Sequence, residues 1–98
     1  MSDLFIVVGL TAVAGKEDDL RQDLLTLVEP SRNEAGNLSY DLFEDVDQPG
    51  RFVFVEGWAS IQAQARHHEQ GAHIQHFHAN GLRNVATKEF AHILKRVN

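Results

Sequence analysis

Two stretches of this chain are apolar on both of their alternating faces, and that pattern restricts what the chain can fold into. From Leu4 to Val13, Leu4, Ile6, Val8 and Leu10 fall on one face, with Phe5, Val7 and Val13 on the other. Arg51 to Ala59 repeats it, with Phe52, Phe54 and Trp58 opposite Val53 and Val55. A strand with one wet face alternates apolar and polar residues, whereas these two strands ask for cover on both sides. The chain has 98 residues, which is room for a single domain spanning 1–98 with one modest core. Its few helices cannot cover both faces of a sheet. A second copy of the same sheet is the cheapest cover, because contiguous exposed apolar patches of that size are rare in monomers. The expectation is a homodimer whose interface includes Leu4 to Val13 and Arg51 to Ala59, with higher assembly left open.

The segments between these strands complete a recognisable order. Lys16 to Glu34 switches to helical spacing, with Leu20, Leu24, Leu27 and Val28 on one stripe. Glu17, Asp18 and Asp19 suit the positive end of its dipole. Pro30 should kink this helix or loosen its last turn. Leu38, Tyr40 and Leu42 alternate with polar residues as a half-buried strand. Asp47-Gln48-Pro49-Gly50 then supplies a turn, so this strand and Arg51 to Ala59 should form a hairpin. Ser60 is suited to N-cap a helix reaching about Gln70. Gly71 interrupts it, a second helical piece runs from about Ala72 to Leu82, and a last strand covers roughly Glu89 to Val97. The order β-α-β-β-α-(α)-β is the split βαβ, or ferredoxin-like, arrangement of an α+β protein with an antiparallel sheet.

Several classes of function are disfavoured. Nine basic residues against fourteen acidic ones give a net charge of −5, which argues against a nucleic-acid partner. No apolar run approaches the roughly 20 residues of a membrane span. Met1 to Gly9 carries neither a basic start nor a small-residue cleavage site, so the default location is cytoplasmic. Without cysteine the chain has no disulfide, no thiolate nucleophile and no thiolate metal site. There is no phosphate loop, nucleophile elbow or dinucleotide fingerprint.

Histidine is the unusual residue. Five of the six lie between His67 and His78. Ile61, Ala65 and His68 fall at i, i+4 and i+7, a stripe that turns His68 inward and His67 toward solvent. His73 lies in line with Phe77, four residues on, while His76 and His78 flank that stripe. His68 and His73 are therefore the two expected to face the interior, either as hydrogen-bonded core residues or as chemistry. No His-x-x-x-His pair exists, and Gly71 weakens the helix that would align Glu69 with His73, so neither a metal nor another cofactor is expected. Glu56, between aromatics on its strand, reads as a structural pair first and a functional group second.

Three motifs together resemble the antibiotic biosynthesis monooxygenase family. The run from Pro30 to Tyr40 (PSRNEAGNLSY) looks like its helix-end-to-strand signature, and Phe52 to Trp58 (FVFVEGW) resembles its phenylalanine–glutamate–tryptophan strand. His68, His73 and Phe77 resemble its motif of two spaced histidines and an aromatic. The similarity covers about residues 4 to 95. It implies a dimeric α+β barrel, with a pocket between the sheet and helices of each protomer. It also implies His68 as candidate base with His73 in support, and Asn37, Tyr40, Trp58 and Phe77 as substrate-binding residues. The family includes cofactor-independent oxygenases of polyphenols and quinols, an isomerase of a phosphorylated signal sugar, and haem-degrading enzymes. The asparagine and tryptophan of the haem branch are missing here, whereas Gly36-Asn37-Leu38 matches the isomerase branch. The expectation is a cofactor-independent monooxygenase acting on a small aromatic, polyphenol or quinol-like molecule. The alternatives are an isomerase of a small phosphorylated metabolite, or a non-catalytic ligand-binding or stress-response protein on the same scaffold.

Overall fold

A computed structural model of the chain describes residues 3–98; Met1 and Ser2, included in the single-domain reading, lie outside the described residues. The elements are β1 (Leu4–Ala12), α1 (Glu17–Leu25), α2 (Val28–Arg32), β2 (Asn37–Glu44), β3 (Arg51–Trp58), α3 (Ile61–Gln70), α4 (Ala72–Asn80), a 3-10 turn (Leu82–Asn84) and β4 (Val85–Lys95). The four strands form one antiparallel sheet in the order β2-β3-β1-β4. This is the expected α+β ferredoxin-like arrangement. No helix among the described residues is long and apolar enough to cross a membrane.

Register explains which face is buried. Ile6 pairs with Glu56, Val8 with Phe54 and Leu10 with Phe52, while Tyr40 faces Glu56 from the other side of β3. Directly paired residues share a face, so Ile6, Leu10, Tyr40, Phe52, Phe54, Glu56 and Trp58 all point toward the helices, and all are buried. Leu20 and Leu24 of α1, Leu27, Ala63 of α3, and Ile74 and Phe77 of α4 close the core above them. The opposite face carries Phe5, Val7, Val53, Val55, Phe43 and Leu94 by the same register. Nothing within the chain's own helices covers it, and Phe43 is 55% and Leu94 45% exposed.

Pro30 acts earlier than a simple kink would suggest. A proline cannot donate to the carbonyl one turn back and its ring collides with that group. The single helix expected over Lys16 to Glu34 accordingly ends at Leu25, and α2 restarts at Val28 with Pro30 in its first turn, where the N–H would be unsatisfied anyway. The last strand also begins earlier than Glu89. Two register shifts opposite β1 carry it back to Val85, through the mostly polar run Ala86 to Glu89 that hydropathy alone reads as loop. Ser60 caps α3 as expected, its hydroxyl accepting from the Ala63 N–H at 3.1 Å. Gly71 ends α3 and precedes α4.

One glycine determines how closely α3 approaches the sheet. Gly36 takes φ +87°, and a Cβ there would lie 2.5 Å from the Ala63 methyl. Two small residues, one of them in a left-handed conformation that favours glycine, thus let α3 sit directly on the start of β2.

Candidate functional site

That close seat fixes the rotation of α3. With Ala63 inward, the residue four later also points inward, and this is His67, which is 4% exposed. The expected stripe of Ile61, Ala65 and His68 is out of phase: Ile61 is 60% exposed and His68 lies on the exposed side. The assignment of His67 to solvent and His68 to the interior is therefore reversed. The physical reason is that steric fit of Ala63 against Gly36 governs the helix, not the burial of Ile61 in its first turn.

A buried imidazole needs partners, and His67 has them on three sides. Its Nδ1 lies 2.6 Å from Glu34 Oε1, its ring packs tilted against the fully buried Trp58 with centroids 4.6 Å apart, and Tyr40 meets it edge-on at 5.4 Å. Glu34 comes from the connection between α2 and β2. The same Oε1 lies 3.0 Å from His73 Nε2, and that nitrogen also lies 3.0 Å from the hydroxyl of Ser31, a fully buried residue of α2. Burial holds His67 below the ordinary imidazole value, against the opposing pull of Glu34. The ring is neutral near pH 7. An Nδ1 facing a carboxylate carries the proton, which leaves the lone pair on Nε2; this nitrogen has no hydrogen-bond partner among the described residues.

His67 also lines a cavity of about 300 Å³ between α3 and the β1, β3 and β4 strands. Ile6, Val8, Ala91 and Ile93 give it an apolar wall, Glu56 and His67 its deep polar groups, and His68 and Lys88 lie toward the exposed side. Glu56 is 5% exposed, with the Trp58 indole N–H donating to it at 3.0 Å. Burial pushes its carboxyl up to about 7; the Trp58 hydrogen bond opposes this and the charge of Glu34 adds to it. Burial and then the charge of Glu56 likewise raise the Tyr40 phenol well above its ordinary value, so Tyr40 stays protonated. The site therefore sets a neutral imidazole and a carboxyl that titrates at about 7 beside an apolar space.

The residues singled out from sequence separate into two sets. Tyr40, Trp58 and His73 converge on His67, and His68 reaches the rim of the cavity. Asn37 instead ties down the start of β2, donating to the Ser39 carbonyl at 3.0 Å. Phe77 is buried in the core beside a different, smaller recess lined by His76 and Asn80. The sequence reading missed His67 and Glu34 as partners. Glu34 is 33 residues from His67, and only the fold brings the two together.

Comparison with known proteins gives a consistent result. The model of the antibiotic biosynthesis monooxygenase family matches residues 4–80. YcnE of Bacillus subtilis, named as a candidate monooxygenase, is 39% identical over 66 residues, 67% of this chain and 68% of that protein. Among solved structures, PA3566 from Pseudomonas aeruginosa is 31% identical with a TM-score of 0.86, covering 100% of this chain and 97% of that one. Rv0793 from Mycobacterium tuberculosis, at 24% identity, shares the fold with a TM-score of 0.90 over 99% of this chain and 97% of its own.

Proposed function

The chain belongs to the antibiotic biosynthesis monooxygenase family, and from that premise we propose that it is a cofactor-independent monooxygenase of a small aromatic, polyphenol or quinol-like substrate. One observation carries the reading: a largely apolar cavity whose wall holds a neutral imidazole, oriented by Glu34, together with a buried carboxyl that titrates at about 7. A phenol or an activated C–H group placed there loses its proton to His67 Nε2. The resulting anion gives one electron to dioxygen, and the radical pair combines to a hydroperoxide. Loss of water leaves a ketone or quinone. One oxygen atom enters the product and the other leaves as water, with all four electrons supplied by the substrate. The protein's part is to hold the ring against the apolar wall, take the proton and stabilise the anion. Glu56, protonated in part of the population, can donate to a developing oxyanion.

The same proposal includes a homodimer. The second sheet face is apolar at Phe5, Val7, Val53, Val55 and Phe43, and an identical face is complementary to it by symmetry. The test of function is oxygen uptake by untagged protein against a panel of phenols, quinols and enolisable ketones. Uptake matched by ketone or quinone formation supports the reading. Saturable binding of panel members with no uptake above background would replace it with a binding role.

A further inference from the structure

Glu34 of the α2–β2 connection, His67 of α3 and His73 of α4 bring Oε1, Nδ1 and Nε2 within 4.8 Å of one another. Their side chains are only 22%, 5% and 17% exposed. Two imidazoles with one carboxylate are a donor set that suits zinc and related divalent transition metals rather than calcium or magnesium. Around a tetrahedral zinc, ligand atoms stand about 3.3 Å apart. The observed Glu34 contacts of 2.6 and 3.0 Å are proton-bridged versions of that spacing, and widening them is a matter of side-chain torsion. A surface recess of about 230 Å³, bordered by Glu34, Arg66 and Gly71 and sharing no lining residue with the larger cavity, gives access to Glu34. Arg66 is exposed there and can turn outward into water.

We propose that Glu34, His67 and His73 form a site for a divalent transition metal of the zinc type, whose occupancy suppresses activity instead of supporting it. Zinc on Nδ1 displaces the proton that Glu34 holds there. A neutral imidazole bound through Nδ1 carries its proton on Nε2, the nitrogen that takes the substrate proton in the proposed reaction. The base becomes a donor without any movement of the ring away from Trp58. The binding site rests on the donor geometry alone; its effect on turnover rests on the proposed reaction.

The experiment uses untagged, chelator-treated full-length protein and Zn²⁺ as the probe. Calorimetric titration should give one zinc per chain, with affinity reduced roughly 100-fold or more in Glu34→Gln and in His73→Ala, since loss even of an outer-shell partner costs about 10–100-fold. Nitrogen-15 spectra of the wild-type ring should show the His67 proton moving from Nδ1 to Nε2 as zinc is added, which decides the matter even where a variant fails to fold. Absence of stoichiometric binding overturns the site. So does binding that survives in both variants but is lost in His76→Ala/His78→Ala, since that is chelation by the exposed histidines. Zinc bound at Glu34 and His73 with unchanged turnover overturns the suppressive role and removes His67 as the base, leaving the metal site in place.

Discussion

Replacing Glu56 with glutamine should change how the fold responds to pH. In the unfolded chain this carboxyl titrates near its ordinary 4.5, and burial raises it to about 7 in the folded protein. Folding therefore favours the protonated form. The stability this contributes is fully present below pH 4.5 and is lost as pH rises through 7. The span between the two values corresponds to about 3 kcal/mol. Glutamine keeps the acceptor oxygen for the Trp58 indole N–H, cannot ionise, and so loses nothing over the same interval. Paired urea or thermal unfolding of wild type and Glu56→Gln, at one protein concentration from pH 4.5 to 8, reads the difference directly. The variant should gain on wild type by about 3 kcal/mol across that range, on the order of 10 °C or more in Tm for a domain of this size. Other groups titrating in the interval largely cancel in the comparison. A difference that stays constant with pH would refute the argument that Glu56 is held out of water and forced toward its neutral form.

Three further outcomes follow from named contacts. His67→Ala should lower turnover by roughly 10², the usual size of a lost general base, whereas His68→Ala at the cavity rim should change it little; equal losses in steady-state assays would count against the phase of α3. Gly36→Ala should cost at least roughly 1–3 kcal/mol for a non-glycine residue in that conformation, before the collision with Ala63 is added, and chemical denaturation at neutral pH checks it. Val7→Glu or Val55→Glu on the open sheet face should shift sedimentation toward monomer while leaving far-ultraviolet dichroism intact; an unaltered assembly would place the interface elsewhere.

The fold was readable because its determinants are local. The paired apolar faces of Leu4 to Val13, the Pro49-Gly50 turn, Ser60 and Gly71 each act within a few residues, and each lies where its chemistry implied. The site was readable only in outline. Tyr40 and Trp58 could be placed on an inward strand face by alternation, and His73 by its spacing from Phe77. The rotation of α3 could not be inferred in the same way. Ile61 suggested one face by its hydrophobicity, but an alanine with no strong preference of its own determined the other by fitting against Gly36. Glu34 lay in the Pro30–Tyr40 run, yet nothing in its spacing pointed to His67 or His73, since its role exists only once the α2–β2 connection passes beside α3 and α4.

The carboxyl and the imidazole of the candidate site are mounted on different layers. Glu56 stands in the middle of the sheet, braced by β1 and β2 on either side, while His67 and its partner Glu34 belong to the layer above. The Gly36–Ala63 contact acts as the spacer between those layers. A slightly thicker spacer would lift α3 off the start of β2, carrying His67 away from Glu56 in the sheet, while Glu34, two residues before Gly36 on the other side of that contact, would follow by side-chain torsion. The reach between acid and base would lengthen, and the room for a ring between them would grow. The width of the cavity in such a molecule can thus be adjusted by a residue outside its lining, through the gap it imposes between α3 and the sheet.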